Sequence, residues 1–167
     1  MFTLRCTQKL LRRMPAAMRG EGAPPTTLLG DWYANVLFLR PHQIALCVSE
    51  RTLLPLVVPA KDAVHLVDRL IQELPAILSA LNIQQSTIER EIGAMQDRCI
   101  GSTNNRRVLG SHNELMFQLA HQLRFQPGVT LFEHALRLAE TPMSLIDSSP
   151  GRATRALFDA QTTIRFP

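Results

Sequence analysis

Cysteine, lysine, aromatic residues and long apolar runs are all scarce in this 167-residue sequence, and each scarcity excludes something. The three cysteines, Cys6, Cys47 and Cys99, are odd in number, far apart and without a C-x-x-C pair, which fits neither a disulfide framework nor a zinc site. Each falls in an apolar pattern, which predicts buried thiols. The densest apolar run, Leu53 to Val58, is short and interrupted by Pro55, so no segment is long enough to span a bilayer. The amino-terminal MFTLRCTQKLLRR mixes Arg5, Lys9, Arg12 and Arg13 among its apolar positions, so the uninterrupted apolar core of a secretory signal is missing and a cytoplasmic location is expected.

What is present is globular: 46% hydrophobic and 19% charged residues are far from the composition of a disordered chain, and the length suits one domain spanning residues 1–167. The formal net charge is +4, and five bases (Arg5, Lys9, Arg12, Arg13, Arg19) precede the first acid, Glu21. Only two of the eighteen bases are lysines. Arginine suits planar, bidentate recognition of phosphate or carboxylate, which favours an anionic partner; a solvated, arginine-rich helix face explains the same excess.

Along the chain, Phe2, Leu4 and Cys6 alternate with Thr3 and Arg5 as in a half-buried strand, Thr7 can cap a short helix over Lys9 to Met14, and Pro15 to Thr27 reads as a loop. Trp32 to Leu39 and Ile44 to Val48, joined by Arg40-Pro41-His42-Gln43, predict a hairpin. Thr52 to Val58 is a third extended segment, confined to an edge or bulge by Pro55.

From Asp62 the apolar period changes to about 3.6, with Ala63, Val67, Leu70, Leu74, Ile77 and Leu81 predicting a helix that Pro75 should kink or break near Leu74. Ser86-x-x-Glu89, Ser111-x-x-Glu114 and Thr130-x-x-Glu133 have the spacing of capping boxes and predict three further helix starts. The first would run through Ile88, Ile92, Met95 and Cys99, with Gly101 as its C-cap. A last helix should open with Ser149 and Pro150.

Catalytic signatures are missing: there is no G-x-S-x-G, Walker loop, G-x-G-x-x-G or H-E-x-x-H, and His112 and His121 face opposite sides of one predicted helix, so no metal and no cofactor is expected. His42 and His134 read as solvated, and His65 as a surface residue beside Asp68. Two polar groups stand out. One is the loop Gly101 to Glu114, with Asn104, Asn105, Arg106, Arg107, His112 and Asn113 gathered ahead of a predicted helix, whose amino terminus favours anions. The other is Ser49-Glu50-Arg51-Thr52, directly after a strand, where Glu50 and Arg51 could bind a ligand or pair with Asn104 or Arg106. Asp31-Trp32-Tyr33 suits an interface or a pocket rim as well as the core.

The blocks GDWYANVLF (30–38), SERTLLPLVVPA (49–60), TNNRRVLGSHNE (103–114) and LAETPMSLIDSSPGRATRALF (138–158), with TLRCTQKLL near the start, resemble a bacterial family known only as a domain of unknown function. The likeness covers most of the chain and implies no activity. The family pattern has other residues where this chain has Arg107 and His112, which leaves Asn105, Arg106 and Asn113 as the better candidates.

Together these readings predict an α+β domain, with a small, mainly antiparallel sheet from the N-terminal third covered by about five helices. The leading functional expectation is a non-enzymatic intracellular binding or regulatory module contacting an anionic partner, nucleic acid included, through Glu50, Arg51, Asn104, Asn105, Arg106 and Asn113. The alternative is an enzyme on a phosphorylated or carboxylated small molecule, with Glu50 as acid or base and Arg51 and Arg106 as clamps. A third is an obligate homo-oligomer burying apolar helix faces.

Overall fold

A computed structural model describes residues 1–163 and shows an α+β fold built on one five-stranded mixed sheet. The strands are β1 (Phe2–Cys6), β2 (Trp32–Leu39), β3 (His42–Ser49), β4 (Pro55–Pro59) and β5 (Arg98–Ser102), in the order β4-β3-β2-β1-β5. β2, β3 and β4 form an antiparallel meander, while β1 runs parallel to both β2 and β5.

The hairpin forms as the turn residues predict, with register from Trp32↔Ser49 to Leu39↔His42 and a cis Arg40–Pro41 bond in its turn. β4 begins and ends with proline and lies at the sheet edge, where a missing N–H costs least. On the opposite edge, Arg19 bridges to Ile100 of β5 and the Gly20 N–H donates to the Ile100 carbonyl. The loop between residues 15 and 30 therefore runs alongside β5. It passes so close that a Cβ on Gly22 would lie 2.2 Å from Thr3 Oγ1 and 2.8 Å from Cys99 Sγ.

The helices are α1 (Gln8–Leu11), α2 (Leu66–Ala80), α3 (Gln85–Ala94), α4 (Arg106–Phe125), α5 (Leu131–Ala139) and α6 (Pro150–Thr163). α2 and α5 pack on β4, and α4 on β2. α6 reaches the turn after β3, where the buried hydroxyls of Thr154, Thr52 and Ser49 are linked by hydrogen bonds of 2.8 and 2.9 Å. Thr130 and Glu133 form the expected capping box at α5, and α6 begins at Pro150 as predicted.

Several sequence expectations are corrected. α1 spans one turn rather than reaching Met14, because the N–H groups of Arg13 and Met14 turn to the carbonyls of Leu10 and Leu11, three residues back, ahead of Pro15; Thr7 does not cap the helix, its hydroxyl donating to Asn35 Oδ1 instead. α2 continues through Pro75 without a break, since Leu70, Leu74, Ile77 and Leu78 are fully buried on both sides of it and their burial exceeds the roughly 3 kcal/mol cost of an interior proline.

Ser86 lies inside the first turn of α3, and no side chain caps that helix. α3 ends at Ala94, and Cys99 to Gly101 belong to β5, where pairing with β1 overrides the helical spacing of Ile92, Met95 and Cys99. Cys99 is half-buried, with its sulfur 3.3 Å from Thr3 Oγ1, whereas Cys6 and Cys47 are buried as expected. Ser111 is no cap either. α4 starts six residues earlier because Asn105 Oδ1 accepts from the N–H groups of Arg107 (3.1 Å) and Val108 (3.3 Å), and because Val108, His112, Leu115 and Leu119 form its buried stripe. His134, expected to be solvated, is fully buried where α5 packs against α4.

Candidate functional site

Parallel pairing places Arg5 between Tyr33 on β2 and Gly101 on β5, and directly paired residues project from the same face of a sheet. Gly101 sits close to its neighbours: a Cβ there would lie 3.1 Å from Thr3 Cγ2, 3.3 Å from the Gly20 carbonyl and 3.6 Å from Arg5 Nη1, so a side chain would displace the first two by a few tenths of an ångström. Asp31, 2% exposed, accepts from the Thr3 N–H (2.9 Å) and from Arg5 Nε (2.8 Å). Arg5 Nη1 donates onward to the Ser102 carbonyl at 3.3 Å, joining the start of β2 to the end of β5.

Tyr33 is buried, yet its hydroxyl reaches the β5–α4 loop and donates to Asn104 Oδ1 at 2.5 Å. Burial pushes the phenol up to about 12; the charges of Glu50 and Asp31 add to the rise, while Arg5 and the Asn105 backbone N–H oppose it. Tyr33 is therefore a protonated donor across the physiological range.

Glu50 follows β3, is half-buried and has its backbone N–H on the Asp31 carbonyl (2.8 Å). Gly30 lets the chain pass beneath it: its φ of +79° favours glycine, and a Cβ would lie 3.3 Å from Glu50 Oε2 and 3.2 Å from Arg51 Cγ.

The predicted site residues thus divide into two sets. Glu50, Asn104 and Asn105 converge around Tyr33. Arg51 turns back on the neighbouring loop, donating to the Leu28 carbonyl at 3.1 Å. Arg106 and Asn113 are exposed along α4, with Arg107 beside Arg106. Glu50 forms no ion pair with Arg106 among the described residues. His112 faces inward, its Nε2 donating to the Leu46 carbonyl at 2.9 Å; burial holds this imidazole down at about 4.

Sequence reasoning missed Arg5, and for Asp31 and Tyr33 it read only an aromatic pair of unassigned role. The signal available was an Asp directly before a strand that opens with Trp and Tyr, but the partners of both residues come from segments remote in sequence.

Sequence reasoning also missed Glu91. This buried α3 carboxylate accepts from the N–H groups of Leu28 (2.8 Å) and Leu29 (3.0 Å), and so holds the loop on which Gly30 and Asp31 stand. Burial raises its pKa, against the pull of those two N–H groups.

The chemistry of this cluster is that of a scaffold: the Arg5 and Asp31 charges are paired and Tyr33 holds its proton, while the loop behind it presents Ser102, Asn104 and Arg106 to solvent. Cavities of about 490 Å³ and about 540 Å³ lie elsewhere, the first between the hairpin turn and the α4–α5 connection, the second around Pro142 to Arg152. Among the described residues no cluster of three His, Cys, Asp or Glu side chains could hold a metal, and no helix is long and apolar enough to cross a membrane. No curated protein matches the chain. Residues 3–153, which include the whole Tyr33 cluster and α4, match the family described as Domain of unknown function (DUF6933), and the chain belongs to that family.

Proposed function

We propose that the protein is a non-enzymatic intracellular binding module for an anionic partner, nucleic acid first, and that the outer face of α4 makes the contact. The observation that carries this reading is the make-up of that face. Arg106, Asn113, Phe117 and Arg124 lie at spacings that, at about 100° per residue, bring them within about 20° of one line. On that line Phe117 is 77% exposed; about 100° around the helix, the 62% exposed Phe125 packs against His121 with ring centroids 4.7 Å apart and ring planes tilted by 46°.

α4 carries Arg106, Arg107 and Arg124 against a single acid, Glu114, and none of the three arginines is in an ion pair among the described residues. An exposed aromatic ring between guanidinium groups that are in no ion pair suits unpaired bases strung along a phosphate backbone, where stacking contributes roughly 1–3 kcal/mol per base. The Tyr33–Asn104 bond and the Asn105 cap hold the amino-terminal end of this face in place.

Fluorescence anisotropy with labelled single-stranded RNA, single-stranded DNA and duplex at about 50 and 200 mM salt tests the proposal. Binding to single strands should weaken steeply with salt and with Arg106→Ala, Arg124→Ala and Phe117→Ala. Absence of binding, or binding indifferent to salt, sinks it.

The competing reading is an enzyme for a phosphorylated or carboxylated small molecule, favoured by the convergence of Glu50, Asn104 and Tyr33. Against it, the Arg51 guanidinium is already engaged by the Leu28 carbonyl, and Arg106 is exposed with no ion pair to Glu50 among the described residues. A thermal-shift screen with nucleotides and carboxylates separates the two, because a ligand held by the Tyr33 cluster would raise the melting temperature.

A further inference from the structure

The cavity of about 490 Å³ between the hairpin turn and the α4–α5 connection has the size of a small-molecule site. Its walls are largely apolar, drawn from side chains such as Leu39, Ile44, Leu123, Val129 and Leu131. The charged and titratable groups that line it are Arg40, Arg124, His42 and His134, with no carboxylate among the lining residues.

Other polar wall groups are already engaged: Gln43 accepts from Arg13, and Gln126 from Arg137. Arg40 forms no ion pair among the described residues, and Arg124 lies only over the Phe125 ring, 5.4 Å from its centroid. His134 is fully buried, its Nδ1 lies 3.0 Å from Gln122 Oε1, and its Nε2 has no partner.

A buried polar atom left unbonded costs on the order of 1–3 kcal/mol, so an unpartnered ring nitrogen in a cavity wall marks a place where a ligand group can be rewarded. With the Nδ1 proton directed at the Gln122 oxygen, Nε2 of the neutral ring is an acceptor, and its complement is a hydroxyl.

We infer that this cavity binds a small amphipathic hydroxycarboxylate: an apolar body against the leucine and isoleucine walls, a carboxylate met by Arg40 and Arg124, and a hydroxyl donated to His134 Nε2. The site goes beyond the nucleic-acid reading and shares only Arg124 with it, so its tests fall on Arg40, Val129 and His134, none of which is on α4.

Isothermal titration with decanoate, 3-hydroxydecanoate and decyltrimethylammonium, each below its micellar concentration, tests the assignment. Both carboxylates should bind saturably at one site, the hydroxylated one more tightly, and the cation should not. Arg40→Ala, an exposed position that leaves the core intact, should weaken both carboxylates by about tenfold, the loss expected for one charge-assisted bond. Val129→Trp should fill the cavity and abolish binding, with its circular dichroism melt showing that the variant still folds. His134→Phe should erase the advantage of the hydroxyl. The assignment is overturned if the cation binds as well as decanoate, if neither carboxylate saturates, if Val129→Trp or Arg40→Ala leaves affinity unchanged, or if the hydroxyl brings no gain.

Discussion

The hydroxyl of Tyr33 donates to Asn104 Oδ1 at 2.5 Å, so a side chain rooted in the middle of the sheet fixes the loop from which α4 departs. Tyr33→Phe removes that bond and leaves the ring in place. Stability should fall by about 1 kcal/mol, the usual net worth of such a bond. Amide hydrogen exchange should quicken at Asn104 to Val108 while β2 and β3 keep their protection. Equal protection of the loop in both proteins would show that the bond has no part in holding it.

Asn105 is the cap of α4, and its side-chain oxygen takes two of the helix's free N–H groups. Asn105→Ala should cost about 1 kcal/mol in urea denaturation. Asn105→Asp should retain the cap and add a favourable charge at the positive end of the helix dipole, so it should match or exceed the parent protein. An alanine variant as stable as the parent would place the start of the helix elsewhere.

His112 gives the protein an acid-sensitive core. Its imidazole is held at about 4 against an ordinary 6.5, because burial disfavours the charged ring. Between those values the unfolded chain takes up a proton that the folded one refuses, so stability is complete above about pH 6.5 and drains away as pH falls toward 4. A gap of this size corresponds to roughly 3 kcal/mol. His112→Gln, which can still donate to the Leu46 carbonyl, should flatten the difference between urea midpoints at pH 7 and pH 4.5. A variant that loses stability over this range as steeply as the parent would assign the acid sensitivity to other groups.

Glu91 leaves two backbone donors stranded if it is removed. Glu91→Ala should destabilise by roughly 3 kcal/mol, since each orphaned N–H carries its own desolvation cost, while Glu91→Gln should lose less because one oxygen remains to accept. Thermal melts of the two variants give the comparison. A glutamine variant as damaged as the alanine one would mean that charge rather than hydrogen bonding secures the Leu28–Leu29 loop.

The parts of the fold that were legible in advance are those specified by neighbours in the chain. Arg40-Pro41 between two β-branched and aromatic runs announces the hairpin, and Thr130 with Glu133 announces α5. β5 was hidden because Ile92, Met95 and Cys99 keep helical spacing, and only the unfilled edge of β1, far away in sequence, turns Arg98–Ser102 into a strand. Ser111 and Glu114 mimic a helix start, but the apolar stripe begun at Val108 and the Asn105 cap move it upstream. For the candidate site, residue types pointed to Glu50 and Asn104. Their meeting at Tyr33, and the outward turn of Arg106, are products of tertiary packing that no local spacing encodes.

The two edges of the sheet are closed in different ways, β4 by prolines at both ends and β5 by the Arg19–Gly20 segment laid against Ile100. An open strand edge is a template on which another chain can pair, and a protein that leaves one uncovered is prone to edge-to-edge association and fibril growth. The proline- and glycine-rich stretch between residues 15 and 30, which looks like a mere connector, thereby covers the β5 edge of the sheet. Removing its pairing with Ile100 should bare the β5 edge and favour strand-to-strand association, which light scattering would detect.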